Sequence, residues 1–537
     1  MSRLKLLRTD DFTGGLNLRA DPFQLRDNES PDLLNVDIDP RGGLKVRGAM
    51  IKYNSSAVGG HASWDPKSFF VTRGLSPQIF VSNDGLVYYT SGTSFSSTGI
   101  SYTAPFGASF ASWSSNTSTS VYMATGNTPK KWTNTTATTL DESGSGEWQE
   151  DFANPTGTHM PVARYCTSHL DRLWVAYTEE NASIYPNRIR FSHPFFPESW
   201  REDDYIDIVE GGSGITGIVP FKENLIVFKK HAIFAVMGFS TETFQVVPLT
   251  QEYGIPNPHA VAVTENEFYF FSWPDGFFVY DGQQFADLFH QLRPMVQSGL
   301  VNSYAQDKVC LASIDHRIWI GLPLNNSTKI NYSFIYDPSL GDRGAWTKYQ
   351  TSDKHGVGMG ADFVTTTGDK FYLGVHPHRA HILKVDVGSS SNDNVGHGDG
   401  LFESYYKTKW HDAGSISSKK MWRRPDMVIT QPVIDGKLFV SVYHDWEESQ
   451  ARRRFEITLN DPDTESLEWN ETAASEPDIH PGWGQADWGA SPQGSQFTKG
   501  KNLGLCRSVQ LEFRGEPGKP WGVNSVTYKF NPRKVRS

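Results

Sequence analysis

Asn224-Leu225-Ile226-Val227-Phe228 and Ala232-Ile233-Phe234-Ala235-Val236-Met237 are two short apolar runs separated by Lys229-Lys230-His231. Runs this short, rich in β-branched and aromatic residues and joined by a brief polar turn, read as a β-hairpin. A second hairpin of the same kind joins Phe268-Tyr269-Phe270-Phe271 to Gly276-Phe277-Phe278-Val279-Tyr280 across Trp273-Pro274-Asp275. Outward from these, a polar turn followed by three to five apolar residues recurs along the chain. It appears at Phe69-Phe70-Val71, Val121-Tyr122-Met123, Leu173-Trp174-Val175, Ile318-Trp319-Ile320 and Phe371-Tyr372-Leu373. The first apolar residues fall at 69, 121, 173, 225, 268, 318 and 371, in steps of 52, 52, 52, 43, 50 and 53. A period near fifty suits one propeller blade of four short strands, because such a sheet cannot bury both faces alone and must stack on copies of itself.

The sequence therefore predicts an all-β protein. Its parts are an N-terminal arm and hairpin over 1–54, a β-propeller of about seven blades over 55–388, a linker over 389–400 and a C-terminal β-sandwich over 401–537. Six or eight blades are the alternatives, since the first and last units are the least regular, and a sandwich array with accidental spacing is the competing architecture. The linker is predicted from the polar run Gly388 to Gly400. Beyond it, strands are expected at Lys407–Trp410, Met427–Thr430, Lys437–Val442, Phe455–Leu459, Val509–Phe513 and Val523–Phe530, several alternating apolar with polar, and a long loop over 460–500. In the arm, Asn28 or Ser30 with Pro31 predicts a short helical turn, and Leu34–Ile38 a hairpin with Leu44–Arg47 over Pro40–Gly43. An arm with so little core of its own needs something to lean on.

Composition agrees: the 537 residues include 48 Gly, 30 Pro and 33 Phe with only 20% charged, favouring short strands and many turns. No stretch approaches the length of an apolar membrane span, and the basic start lacks the apolar segment of an export signal. Cys166, Cys310 and Cys506 lie too far apart for a cysteine framework and are expected as buried free thiols. A net charge of −10 argues against a polyanion binder as a whole. Two clusters run against it: Lys419, Lys420, Arg423 and Arg424, and Arg533, Lys534 and Arg536 near the C-terminus. These are candidate partner-protein or nucleic-acid contacts.

Motifs that carry chemistry are weak. Asn35-x-Asp37-x-Asp39-x-x-Gly42 has Pro40 and Val46 where a calcium loop needs Gly and Glu, so alternation along a hairpin explains it better. His376, His378 and His381 have spacing that suits zinc or nickel, but Pro377 and the lack of a neighbouring carboxylate in sequence favour a blade loop. Ser82-Asn83-Asp84-Gly85 is an Asp-box fragment without its Thr-Trp, and a turn needs Asp and Gly there anyway. Gly144-Ser145-Gly146 reads as a loop and not a nucleophile elbow. No catalytic residue, metal ligand or cofactor is assigned, and the chain is expected not to be an enzyme.

The opening Phe12-x-Gly14-Gly15-Leu16-Asn17, the run Leu25-x-Asp27-x-x-Ser30-Pro31-Asp32-x-Leu34-Asn35-Val36-Asp37 and the turn Arg41-Gly42-Gly43 resemble the start of the β-propeller tail proteins of tailed bacteriophages, called tail nozzle or minor tail proteins. Lys409–Gly414, Lys419–Pro425 and Trp521–Val526 resemble the same family's other end, while the propeller is matched by repeat pattern alone. The resemblance implies a structural virion component, made in the host bacterial cytoplasm, that forms a ring or tail-tip assembly around the DNA ejection path. It implies partners in copies of itself (a hexamer if a nozzle), in adaptor or fibre proteins and transiently in phage DNA. Two other functions compete. One is receptor or glycan binding through Phe195, Phe196 and Trp200; the other is a propeller glycosidase whose carboxylates the sequence does not single out.

Overall fold

A computed structural model describes residues 4–532 apart from 22–23, 61–63, 74–75, 115–117, 144–147, 149–157, 342–343, 388–391, 397, 431–435, 460–465, 468–494 and 500. The expected Gly144-Ser145-Gly146 loop and most of the expected 460–500 loop lie outside these residues. Among the described residues the one α-helical segment is the turn Pro294–Gln297, so the chain is all-β.

Among the described residues seven sheets follow one another along the chain, at 68–101, 109–139, 141–207, 217–250, 261–287, 310–349 and 360–387, each built mainly from consecutive strands and antiparallel except where Asp141–Ser143 pairs parallel with His159–His169. The two hairpins first read from sequence pair as expected, Phe228 opposite Ile233 and Ser272 opposite Gly276. Their apolar runs are continuous because both faces of each sheet are buried. Within Asn224–Phe228, Leu225 and Val227 enter a cluster with Trp174 and Phe191 of the third sheet. Ile226 and Phe228 point the other way, to Phe268 and Phe270 of the fifth. The alternation of side chains along a strand thus feeds two neighbouring wedges. The same sharing joins first to second through Phe80, Phe110 and Trp132, and second to third through Tyr122 and Leu173. It joins sixth to seventh through Trp319 and Leu383. A final cluster, Ile79, Val81 and Tyr88 with Phe363, Leu373 and Val375, joins the seventh sheet back to the first, so the sheets close into a propeller-like ring. Five of the seven repeat motifs fall on the second strand of their sheet, and Leu173 falls on the third strand of its sheet because Asp141–Ser143 adds a strand ahead of it. The first motif differs: Phe69 lies in the first strand, Ser68–Val71, and the equivalent second strand is Ile79–Asn83. Both are short and apolar, and run length alone does not separate them.

The arm contributes strands to the seventh ring sheet and to both C-terminal sheets, while β2 and β3 pair with each other. In chain order these are β1 (Lys5–Thr9), β2 (Gly15–Leu16), β3 (Glu29–Ser30), β4 (Leu33–Leu34), β5 (Val36–Ile38), β6 (Leu44–Val46) and β7 (Ala49–Lys52). The β5–β6 hairpin forms as expected. β7 supplies the fourth strand of the seventh sheet, antiparallel to Ile382–Val387. β1 and β6 pair with Gly522–Pro532, and β4 pairs with Tyr405–Lys407. The helical turn expected at Asn28 to Pro31 is absent. There the Ser30 hydroxyl bonds the Lys407 carbonyl (2.7 Å) and the chain stays extended, which delivers Leu33, Leu34 and Val36 to the core. The arm leans on its own chain.

The C-terminal part holds two sheets. One has the order Ser466–Leu467, Ser495–Lys499, Asp426–Thr430, Gly522–Pro532, Lys420–Trp422, Gly504–Cys506, with β1 and β5–β6 attached. The other runs β4, Tyr405–Lys407, Val509–Gly515, Gly436–His444, Arg453–Leu459. Ser495–Lys499, expected as loop, is thus a strand, paired with Asp426–Thr430. Met427, Ile429 and Tyr528 of one sheet and Val440, Val442 and Phe513 of the other share a core, which is continuous with the fifth and sixth ring sheets through Phe12, Leu16 and Leu33. The expected linker 389–400 is not a free tether in its described part: Asp393 and Val395 are buried, and Asp393 pairs with Arg47 at 2.8 Å.

Candidate functional site: a lysine-rimmed cavity on the ring axis

Strands of five sheets line one cavity of about 340 Å³, which receives Ser68, Ser109, Arg164, Val219 and Val261. Strands from five separate sheets can meet in one cavity only near the centre of the ring. At the end where the chain enters these strands lies a smaller cavity of about 60 Å³, sharing Phe106 and His259 with the first. Apolar walls come from Phe106, Val309, Ile330 and Met359, and the charged lining residues are Asp65, Asp307, Lys67, Lys308 and Lys329. Lys67 Nζ donates to Asp65 Oδ2 (2.7 Å) and Lys308 Nζ to Asp65 Oδ1 (3.0 Å). Burial works against the Asp65 carboxylate, but these two ammonium groups outweigh it and hold its pKa below the usual range. Lys329 Nζ donates to the Trp64 carbonyl (2.9 Å) and to His378 Nδ1 (3.2 Å). Burial pulls the pKa of Lys329 down, though Asp65 counters it. His259 donates from Nε2 to the Phe106 carbonyl (3.2 Å), and burial depresses its pKa, with the backbone of Phe106 and Lys67 countering.

Beside this mouth the histidines of the seventh sheet have a carboxylate that their sequence neighbourhood does not reveal. Asp353, His355 and His376 bring three ligand atoms within 4.8 Å of one another. His376 settles what they can do. Its Nδ1 accepts the backbone N–H groups of His378 (3.1 Å) and Arg379 (2.8 Å). A neutral imidazole has one proton, so it sits on Nε2 and is donated to Asp353 Oδ1 at 3.1 Å. The nitrogen a metal would need is already occupied. Asp353 also receives Thr351 Oγ1 (2.7 Å) and Arg379 Nε (3.3 Å), making it the hub of a polar clamp between two loops. Burial disfavours its charge, yet His355 and His376 more than compensate and hold its pKa far below the usual range.

The basic residues singled out from sequence separate in the structure. Lys419, Arg423 and Arg424 are exposed, and Arg423 Nε donates to Asn531 Oδ1 (3.2 Å). Lys420 is 1% exposed; its ammonium bonds the carbonyls of Ser415 and Arg507, and burial lowers its pKa. It is an internal brace and not a contact residue. Arg533, Lys534 and Arg536 lie outside the described residues, although the pairing of Lys420 with Pro532 brings the first cluster to the end of that last strand. Among the aromatics, Phe195 is 66% exposed and Phe196 41%, but Trp200 is fully buried with Nε1 donating to the Pro197 carbonyl (3.1 Å), so it belongs to the core. The calcium-like run is structural too: Asp37 bonds the Tyr349 hydroxyl and Arg317, and Asn35 Oδ1 accepts from Gln350 N (2.8 Å) and Arg47 Nε (2.9 Å). Asp84 (φ 50°) and Gly85 (φ 75°) form the two-residue turn between Ile79–Asn83 and Leu86–Thr90, which accounts for the Asp-box fragment. All three cysteines are free and buried, their thiols pushed up to about 12 by burial.

Sequence reasoning missed the axial lysines and the Arg47–Asp393 pair. The latter joins positions 346 residues apart, and nothing local marks either residue.

No family model matches the chain, and no curated protein matches it. Among solved structures it is similar to BBS1N in a crystal structure of its complex with ARL6DN. The identity is 10% and the TM-score 0.38, over 63% of this chain and 97% of that one. It is also similar to PorZ, an essential bacterial surface component of the type-IX secretion system of Porphyromonas gingivalis. There the identity is 9% and the TM-score 0.34, over 70% of this chain and 44% of that one. Likenesses this distant carry no argument about activity.

Proposed function

We propose that this chain is a non-enzymatic structural subunit of a tailed-phage virion, a seven-bladed β-propeller with a C-terminal β-sandwich, acting in a nozzle-like ring or tail-tip assembly around the DNA ejection path. The observation that carries the reading is the work done by the residues of the tail-protein-like motifs. Asn35, Asp37 and the nearby Arg47 bolt the arm to the sixth sheet and to Asp393, and Ser30 and Leu34 bind the arm to Tyr405–Lys407. Conformational specificity of this kind suits a rigid building block that meets neighbours through its outer faces. Lys419, Arg423 and Arg424 are candidate contacts on one such face. Electron microscopy of the purified full chain, with its position located in intact particles, tests this: closed rings and a place in the tail are expected, and a strict monomer absent from particles overturns it. Exposed Phe195 and Phe196 favour a second reading, receptor or glycan binding at a blade loop. Adsorption to host cells by the isolated protein, lost on Phe195→Ala with Phe196→Ala, is its signature.

A further inference from the structure

The axial mouth holds more cations than its structure uses. Lys67, Lys308 and Lys329 reach it from segments attached to two different sheets, against two carboxylates: Asp65 bonds both Lys67 and Lys308, and Asp307 lies 3.9 Å from Lys308. Lys329 makes its two hydrogen bonds to neutral acceptors while half-buried, and no carboxylate lies within ion-pair distance of it among the described residues. A partly desolvated ammonium with neutral partners and a second ammonium nearby is an incomplete arrangement in a low-dielectric recess. An anion arriving beside Lys308 and Lys329 completes it through charge-assisted hydrogen bonds.

The recess selects the kind of anion. One water needs roughly 10–15 Å³ by this measure, so about 60 Å³ admits a group of about four to six heavy atoms. Its walls, Phe106, Val309, Ile330 and Met359, are apolar, which suits a short hydrocarbon body and disfavours a fully hydrated dianion. We propose that this cavity binds a small organic carboxylate, with its charged end on Lys308 and Lys329 and its apolar body against Phe106 and Met359. This site is independent of the virion assignment: it rests on the axial lysines and not on the arm.

Calorimetric titration of the full chain with sodium propionate at low ionic strength tests the proposal, with sodium chloride at matched ionic strength as the reference. Saturable binding is expected for propionate alone. Lys308→Gln and Lys329→Gln are each expected to weaken it about tenfold or more, and Lys437→Gln, exposed on the C-terminal strand Gly436–His444, to leave it unchanged. Thermal unfolding of each variant verifies that it is folded at the titration temperature, and glutamine at 329 keeps a donor for the Trp64 carbonyl. Binding that persists equally in the Lys308→Gln/Lys329→Gln double variant, or no saturable heat above the chloride reference, overturns the site. Tighter binding of inorganic phosphate than of propionate overturns its assignment to an organic acid.

Discussion

The ring and the C-terminal sheets solve the same problem, burial of apolar strand faces, by opposite routes. In the ring almost every strand pairs with its neighbour in sequence, and each sheet is sealed on both faces by the sheets before and after it. In the C-terminal pair the partners are far apart: Lys5 opposite Phe530, Leu34 opposite Tyr405, Trp422 opposite Gly504. One design multiplies a local unit and the other ties distant segments together. The arm is where they meet, because β7 completes a ring sheet and β1, β4 and β6 complete the others.

The sharpest way to break that junction is Arg47. Its guanidinium is 1% exposed, bonds both Asp393 oxygens and the Gln350 carbonyl, and lies 3.8 Å from the centre of the Phe402 ring. Arg47→Ala leaves the buried Asp393 carboxylate without its counter-charge, held only by the Met50 and Ser352 N–H groups, and is expected to cost about 3–5 kcal/mol, read as a fall in the urea midpoint. A concurrent Asp393→Asn, which removes the charge and keeps a side-chain oxygen as an acceptor, should recover part of it; an unchanged midpoint for Arg47→Ala would show that the two regions are not coupled there.

A smaller effect comes from acid. Burial is the chief cause that pushes His381 in the ring and His411 in the C-terminal part down to about 4. Their ordinary value is 6.5, so the unfolded chain binds more protons below that pH. The stability they confer is fully present above about 6.5 and is lost as the pH falls through about 4. For fully buried His411 the loss is of order 2–3 kcal/mol between pH 7 and pH 4. Replacing His411 by Gln should flatten this part of the profile, measured as unfolding free energy against pH.

Finer still, Ile226→Val in the ring should cost about 1–1.5 kcal/mol and Ile457→Val about 0.5–1, because Ile226 is sealed between two sheets while Ile457 sits on the edge strand Arg453–Leu459. Equal costs would show that sealing on both faces adds nothing. At the bottom of the scale, exposed Arg424→Ala should stay within about 0.5 kcal/mol by the same measurement.

The contrast also explains what could be read in advance. Continuous runs such as Leu225–Phe228 are visible because burial on both faces leaves no polar residue to interrupt them, and short turns fix which strand follows which. The C-terminal strands were visible as alternation, as in Gly436–His444, but their partners were not, since register between distant segments is set by tertiary packing. Ser30 looked like a helix start because its hydroxyl favours such a site; the hydroxyl instead bonds Lys407, distant in sequence. The same limit hid Asp353 from His376 and gathered Lys67, Lys308 and Lys329 without a motif.

The pairing of β7 with Ile382–Val387 sets an order of events during synthesis. Ala49–Lys52 leaves the ribosome early and has no partner until the chain has grown past Val387. Lys5–Thr9 waits longer still, for Gly522–Pro532. These two strands are thus made long before their partners, and a nascent chain that stops short of Ile382 carries an unfastened wheel.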